Sequence, residues 1–124
     1  NVDFPLIRLG EIHLIYAEAC MHAGGDASAQ MAALAARANV AAPTVIDENF
    51  LIAERARELM WEGHRRTDLV RFGKFTSKDF PWPFKGGSFQ GNVELGAHMN
   101  IFPIPISELT TNLDLVQNPG YTGR

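Results

Sequence analysis

Cysteine occurs once in these 124 residues, at Cys20, so there is no intramolecular disulfide framework, and one thiol does not by itself make a structural zinc site. Lysine is scarce, three residues against eight arginines, and the eleven basic side chains are outnumbered by fourteen acidic ones for a net charge of -3. That sign opposes a phosphate-neutralising surface, and nucleic acid is not an expected partner. Long apolar runs are also missing. The longest stretch without a charged residue, Leu95 to Ser107, contains two prolines and falls short of the ~20 apolar residues a membrane-spanning helix needs. Asn1 to Pro5 show no initiator Met, basic n-region or apolar h-region and lead straight into a helical pattern. The expectation is a fragment of a longer precursor, with any signal peptide or lipid anchor outside it. Against these absences, 46% of the residues are hydrophobic and 20% charged, the balance of one globular domain.

Helical periodicity dominates the first 73 residues. Asp3 and Pro5 suit the start of a helix running to about Ala23, because Pro at the first helical position gives up only an N–H that would be unpaired anyway. Leu9, Ile12, Ile15, Tyr16 and Ala19 form a wide apolar stripe on it, which predicts a mostly buried helix ended by Gly24 and Gly25. A second helix, about Asp26 to Ala38, is capped by Asp26 or Ser28 and built on alanine, with Met31 and Leu34 its large apolar groups. Thr44 with Asp47 three residues on resembles a helix-start motif before a third helix, about Ile46 to Glu62. Gly63 then breaks the path before a short fourth helix, about Arg65 to Phe72, closed by Gly73. Two helical hairpins starting about 40 residues apart suggest a tetratricopeptide-like arrangement. Ala17, Gly24, Ala29 and Ala36 fit its small-residue spacing, whereas His13 and Ala33 stand where bulky aromatics are expected.

After Gly73 the composition changes. Six of the twelve aromatics lie between Phe72 and Phe89, and five of the seven prolines follow residue 80. Pro81, Pro83, Pro103 and Pro105 forbid regular helix, which predicts an irregular stretch over 74–124 with a packed C-terminal tail. Asn118, Pro119, Gly120 and Tyr121 place Pro and Gly where a type II turn wants them. The apolar groups of the tail, from Ile101 and Phe102 to Leu113 and Leu115, predict that it packs back on the helices.

Glu54, Glu58 and Glu62 repeat at four-residue spacing, which stacks three carboxylates on one helix face. The catalytic alternative is a carboxylate pair or metal cluster, but no histidine has the Glu three residues before it that a bundle di-metal site uses. The structural alternative is an ion-pair network of Arg8, Glu11, Glu54, Arg55, Glu58, Glu62, Arg65, Asp68 and Arg71. The preference for arginine favours it, because the guanidinium fork pairs carboxylates bidentately. No phosphate-cradling loop and no nucleophile elbow is present, since Lys74 is followed by Phe75 and Gln90 occupies the place of the second glycine after Ser88. Cys20 reads as a small packed hydrophobe, and the four histidines lack metal-ligand spacing. No cofactor and no catalytic residue is assigned. Phe80, Trp82 and Phe84 alternate with Pro81 and Pro83. Stiffened aromatics of this kind either stack on a sugar ring or anchor the loop to the helices, and the anchor is the preferred reading.

Several segments together resemble the C-terminal region of the SusD/RagB family of outer-membrane nutrient-binding lipoproteins. They are Pro5 to Glu11 with Tyr16 to Ala19, then Glu54 to Leu59 running into Glu62 to Arg65 and Asp68 to Arg71. Trp82 with Lys85 to Gly87, Phe102 to Pro105 and Gln117 to Tyr121 follow in order. Gly10 stands where the family usually has Ala, and Arg66 with Thr67 replaces a commonly aromatic pair. The resemblance implies an all-α fold of tetratricopeptide-like repeats with long irregular insertions, this chain being its C-terminal part. It also implies a lipid-tethered protein of the outer membrane in Bacteroidetes. Such a protein captures oligosaccharides or other nutrients for a TonB-dependent, SusC-like transporter, without catalysis. The competing readings are a tetratricopeptide-like scaffold for protein partners and a helical hydrolase using Glu58 and Glu62.

Overall fold

The computed structural model describes residues 6–122. Among them are five α-helices and two short 3-10 turns, at Lys85–Gly87 and Ala97–Asn100, and no strand. The fold is all-α. The described residues form two compact units, one up to Asp68 and one from Leu69 on.

The first unit is built on α1 (Leu9–Ala23), α2 (Ser28–Arg37) and α3 (Glu48–Glu58), with α1 packed against both others. The expected helix start at Asp3 and Pro5 lies outside the described residues. Residues 6–8 are not helical, and α1 begins after Arg8, whose backbone is extended and whose carbonyl accepts from the Glu11 and Ile12 N–H groups. At the other end Gly24 takes the left-handed conformation at φ 71°, and its N–H reaches the Cys20 carbonyl. The buried face differs from the expected stripe. Gly10, Leu14 and Ala17 are buried with Met21 half-buried below them, whereas Leu9, Ile12, Ile15 and Tyr16 are 46–70% exposed. Spacings of four, three and four residues along 10, 14, 17 and 21 make one seam, and its small members let two helices approach closely.

In α2 Met31, Leu34 and Ala35 are buried, the first two in one core with Leu14 and Ala17. Asp26 organises the start, its Oδ1 accepting from the Ser28 N–H (2.9 Å) and hydroxyl (2.6 Å), although Ala27 holds the capping position. Of the repeat-like small residues Ala17 is buried, Gly24 caps α1, and Ala29 and Ala36 are exposed. In α3 the cap is Asp47 itself, Oδ1 accepting from the Phe50 N–H at 2.7 Å, so the helix starts later than the Thr44 reading suggested. It also stops earlier, at Glu58, and the chain reverses through Trp61 at φ 67° and Gly63 at φ 80°. Leu14, Ala17, Ala27, Met31, Leu34, Leu51 and Leu59 form the core of this unit, with Ile46 and Phe50 packed on it. Each large side chain so buried contributes about 1.5–3 kcal/mol.

Helix α4 (Arg65–Arg71) carries the chain from one unit into the next and ends at Gly73, φ 66°. The second unit is largely irregular, as the prolines require. One regular helix was not expected there: α5 (Ile106–Thr111) starts directly after Pro105, whose carbonyl accepts from the Glu108 and Leu109 N–H groups. Pro forbids the interior of a helix but suits its start. The tail is closed by its own polar groups. Gln117 exchanges two hydrogen bonds with the Ile104 backbone (2.8 and 2.9 Å), Asn118 Nδ2 donates to the Phe102 carbonyl, and the Tyr121 hydroxyl donates to the Ile101 carbonyl at 2.7 Å. Of its apolar groups Leu109 is buried and Ile104 and Leu115 are half-buried, while Ile101, Phe102, Ile106 and Leu113 are 50–73% exposed. The Tyr121 N–H to Asn118 carbonyl bond closes the Pro–Gly turn, with Gly120 at φ 88°.

Candidate functional site

Arg8, the extended residue ahead of α1, lies between two carboxylates. Its Nε donates to both Glu62 oxygens (2.8 and 2.9 Å) and its Nη1 to Glu58 Oε1 (2.5 Å), while Nη2 reaches the Glu58 backbone carbonyl. Glu58 is nearly buried and takes a second guanidinium on Oε2 from Arg37, at the end of α2. The Arg8 guanidinium is held well above its ordinary pKa by Glu62 and Glu58, and its bonds hold the Glu62 carboxyl below the usual carboxylate range. Gly10 belongs to this arrangement, since a Cβ there would overlap the Glu58 carboxylate and the Arg8 guanidinium.

The three stacked carboxylates are therefore not one helical stripe. Glu62 stands beyond the end of α3 and is returned to Arg8 by the left-handed turn at Trp61, and Glu54 pairs locally with Arg57 at 2.6 Å. The remaining residues of the expected network fall into separate groups. Arg55 Nε lies 2.8 Å from Asp68 Oδ1 with both side chains out of water, Arg65 donates to the Ile52 carbonyl at 2.9 Å, and Glu11 is 3.7 Å from His64 Nδ1. In the second unit Arg71 stands 4.7 Å from the centre of the Phe72 ring. Arg37 is the member that sequence reasoning missed. Its signal was a cation in the last turn of a helix, which the carboxylate spacing on another helix did not draw attention to. Glu58 and Glu62 both being bound by arginine, neither is a free acid or base, which removes the hydrolase reading. Among the described residues no three His, Cys, Asp or Glu side chains cluster as metal ligands.

The Pro-stiffened loop of the second unit is built around a buried lysine. Lys85 is 2% exposed, and its Nζ donates to the Ser77 carbonyl and, at 3.2 Å, to the Phe80 carbonyl. Burial pushes its pKa down, opposed by Asp79 and Glu94. The same Nζ lies 4.5 Å from the centre of the Trp82 ring, which also stacks on Phe75 at 5.7 Å and 24°. Phe80, Trp82 and Phe84 do not share one side of an extended segment, because the Lys85 N–H turns back to the Trp82 carbonyl and Phe84 is left-handed at φ 65°. Phe84 is 68% exposed and meets Phe89 edge to face at 5.6 Å. Gly91 completes the loop, because a Cβ there would overlap the Trp82 carbonyl. Two rings of this loop are thus open, Phe84 and Phe89, and Trp82, Phe75 and Lys85 pack on one another.

Comparison with known proteins gives two matches. A sequence model of the SusD family matches residues 1–121. The starch-binding protein SusD of Bacteroides thetaiotaomicron is 43% identical over 122 residues, which is 98% of this chain and 22% of that protein. The chain thus spans about a fifth of the length of that relative.

Proposed function

The chain belongs to the SusD family, and on that premise we propose that it is the C-terminal part of a carbohydrate-binding protein of the cell surface. The observation that carries this reading is the 43% identity, over almost the whole chain, to a protein that binds starch. In this reading the parent protein is held at the outer membrane by an N-terminal lipid outside the chain. It captures oligosaccharides and passes them to a TonB-dependent, SusC-like transporter. Its role is binding, and the arginine partners on Glu58 and Glu62 agree with that. Within the chain the candidate sugar contacts, the alternative to the preferred anchoring role, are Phe80, Trp82 and Phe84. Phe84 has the open ring of the three, while Trp82 stacks on Phe75 and the Phe80 carbonyl accepts from Lys85.

Calorimetric titration of a glycan panel into the parent, Phe84→Ala and Trp82→Ala tests the reading. Phe84→Ala should weaken binding up to about tenfold, the worth of one aromatic contact. A parent that binds no glycan in the panel would overturn the carbohydrate reading.

A second reading, a helical scaffold for protein partners, is favoured by the exposed apolar side of α1 at Leu9, Ile12, Ile15 and Tyr16. Loss of transporter association in Ile12→Lys, with glycan affinity retained, would favour it.

A further inference from the structure

Helix α1 carries two apolar seams. Gly10, Leu14, Ala17 and Met21 make the one on its packed side. Leu9, Ile12, Tyr16, Ala19 and Ala23 make the other, at spacings of three, four, three and four residues, and all five are exposed. At about 100° of turn per residue the two seams point about 150° apart, on nearly opposite sides of the helix.

A helix that faces water carries polar groups on that side, and α3 does so, its exposed positions being Asn49 and Arg57. The outer seam of α1 holds no charged residue, and Glu11, Glu18 and His22 fall together on a third side. An α-helix apolar on two opposite sides is built to be packed on both. The three-and-four spacing of the outer seam is the row that a second helix laid along α1 would interlock with.

We infer that a helix of the chain preceding Asn1 in the parent protein packs along Leu9, Ile12, Tyr16 and Ala19. The inference rests on the reading of this chain as the C-terminal part of a longer protein. The match covers 22% of the starch-binding relative, so about four fifths of a protein of that size lies outside this chain. The preceding segment joins at Asn1, eight residues ahead of α1. Eight residues reach at most about 28 Å, and α1 is about 22 Å long, so that segment is able to double back along the whole helix. Being tethered, it meets the seam at a far higher effective concentration than a separate protein does. The stripe is then part of the parent's core and is not offered to a transporter.

The test is thiol labelling of the full-length protein in a Cys20→Ser background, read site by site by peptide mass spectrometry. Serine keeps a donor for the Asp26 carbonyl, which Cys20 Sγ reaches at 3.6 Å. Ile12→Cys and Ala19→Cys place a thiol in the outer seam, and Asn49→Cys places one on the water-facing side of α3. Each is treated with a water-soluble maleimide, native and unfolded in urea. The seam thiols should react at least about tenfold more slowly in the native protein, and the α3 thiol at close to its unfolded rate. Unfolding midpoints equal to that of the background show that the variants are folded, and Ala19→Cys, which adds only a sulfur, serves where Ile12→Cys does not fold. Seam thiols as reactive in the native protein as in urea would overturn the inference and leave the stripe to a separate partner. Protection lost on dilution would assign it to a second copy instead. Equal protection of Asn49→Cys would overturn it too, because polarity would then select no face. Glycan titration of the same protein decides the carbohydrate reading separately, whereas a mature protein with no chain ahead of Asn1 would overturn the inference and the C-terminal reading together.

Discussion

Arg55 and Asp68 face each other with 5% and 3% of their side chains exposed, whereas Arg57, paired with Glu54, has 63% of its side chain in water. The two pairs look alike in sequence and differ in energy. An exposed pair is worth 1 kcal/mol or less because solvent screens it, but removing one member of a buried pair strands the other charge in a medium that does not solvate it. Asp68→Ala should therefore destabilise the protein by about 3–5 kcal/mol, and Arg57→Ala by less than about 1 kcal/mol. Equal denaturant midpoints for the two variants would show that Arg55 regains water on losing its partner. Backbone strain at single residues follows the same charges. Trp61 and Phe84 are left-handed, and each immediately precedes a charged side chain that the turn drives inward, Glu62 towards Arg8 and Lys85 beneath its two carbonyls.

Each helix of the first unit makes a choice between faces, and α1 shows what decides it. Its larger apolar residues lie on one side, yet the side that packs is Gly10, Leu14, Ala17 and Met21. Two neighbours must approach α1 at once, and small residues permit short interhelical distances, with Leu14 sharing one core with Leu34 and Leu51. Leu14→Ala should cost about 2–5 kcal/mol through lost burial and the cavity left behind. Ile12→Ser, at a position 46% exposed, should stay within about 1 kcal/mol of the parent. Paired thermal melts measure both, and a larger loss for Ile12→Ser would make the expected stripe the true packing face.

At the scale of the whole molecule, acidity is the condition that reaches its polar fastenings together. The Glu62 carboxyl is lowered from 4.5 by hydrogen bonding to Arg8, and that of Asp26 from 3.8 by hydrogen bonds from Ser28. A carboxylate whose folded pKa is depressed adds stability that is fully present above the unfolded value and is lost as pH falls through the folded one. Stability should therefore be level from neutrality down to about pH 5 and decline below about pH 4.5. Glu62→Gln should show a shallower acid decline than the parent when unfolding midpoints are followed against pH. Identical acid slopes would mean that the Arg8 bonds persist in the unfolded chain or never formed. Below the isoelectric point near 5.8 the growing positive charge acts in the same direction, through self-repulsion.

The sequence by itself determined the helical class, the family, and the glycine and proline punctuation at Gly24, Gly73 and the Asn118 to Tyr121 turn, because each of these depends on residues adjacent in the chain. It also indicated that arginine and glutamate would pair. Tertiary structure decided which ones did. Arg8 lies 50 residues from Glu58 and Arg37 lies 21 residues from it, and no local period encodes such partners. The same holds for the aromatics. Two-residue spacing would place Phe80, Trp82 and Phe84 on one side of an extended segment, but the chain turns where the Lys85 N–H meets the Trp82 carbonyl and Phe84 is left-handed. Local pattern fixes what a segment is able to form. Which face it buries and which charge it meets depend on the segments that approach it in space, since desolvation and packing act between neighbours in three dimensions.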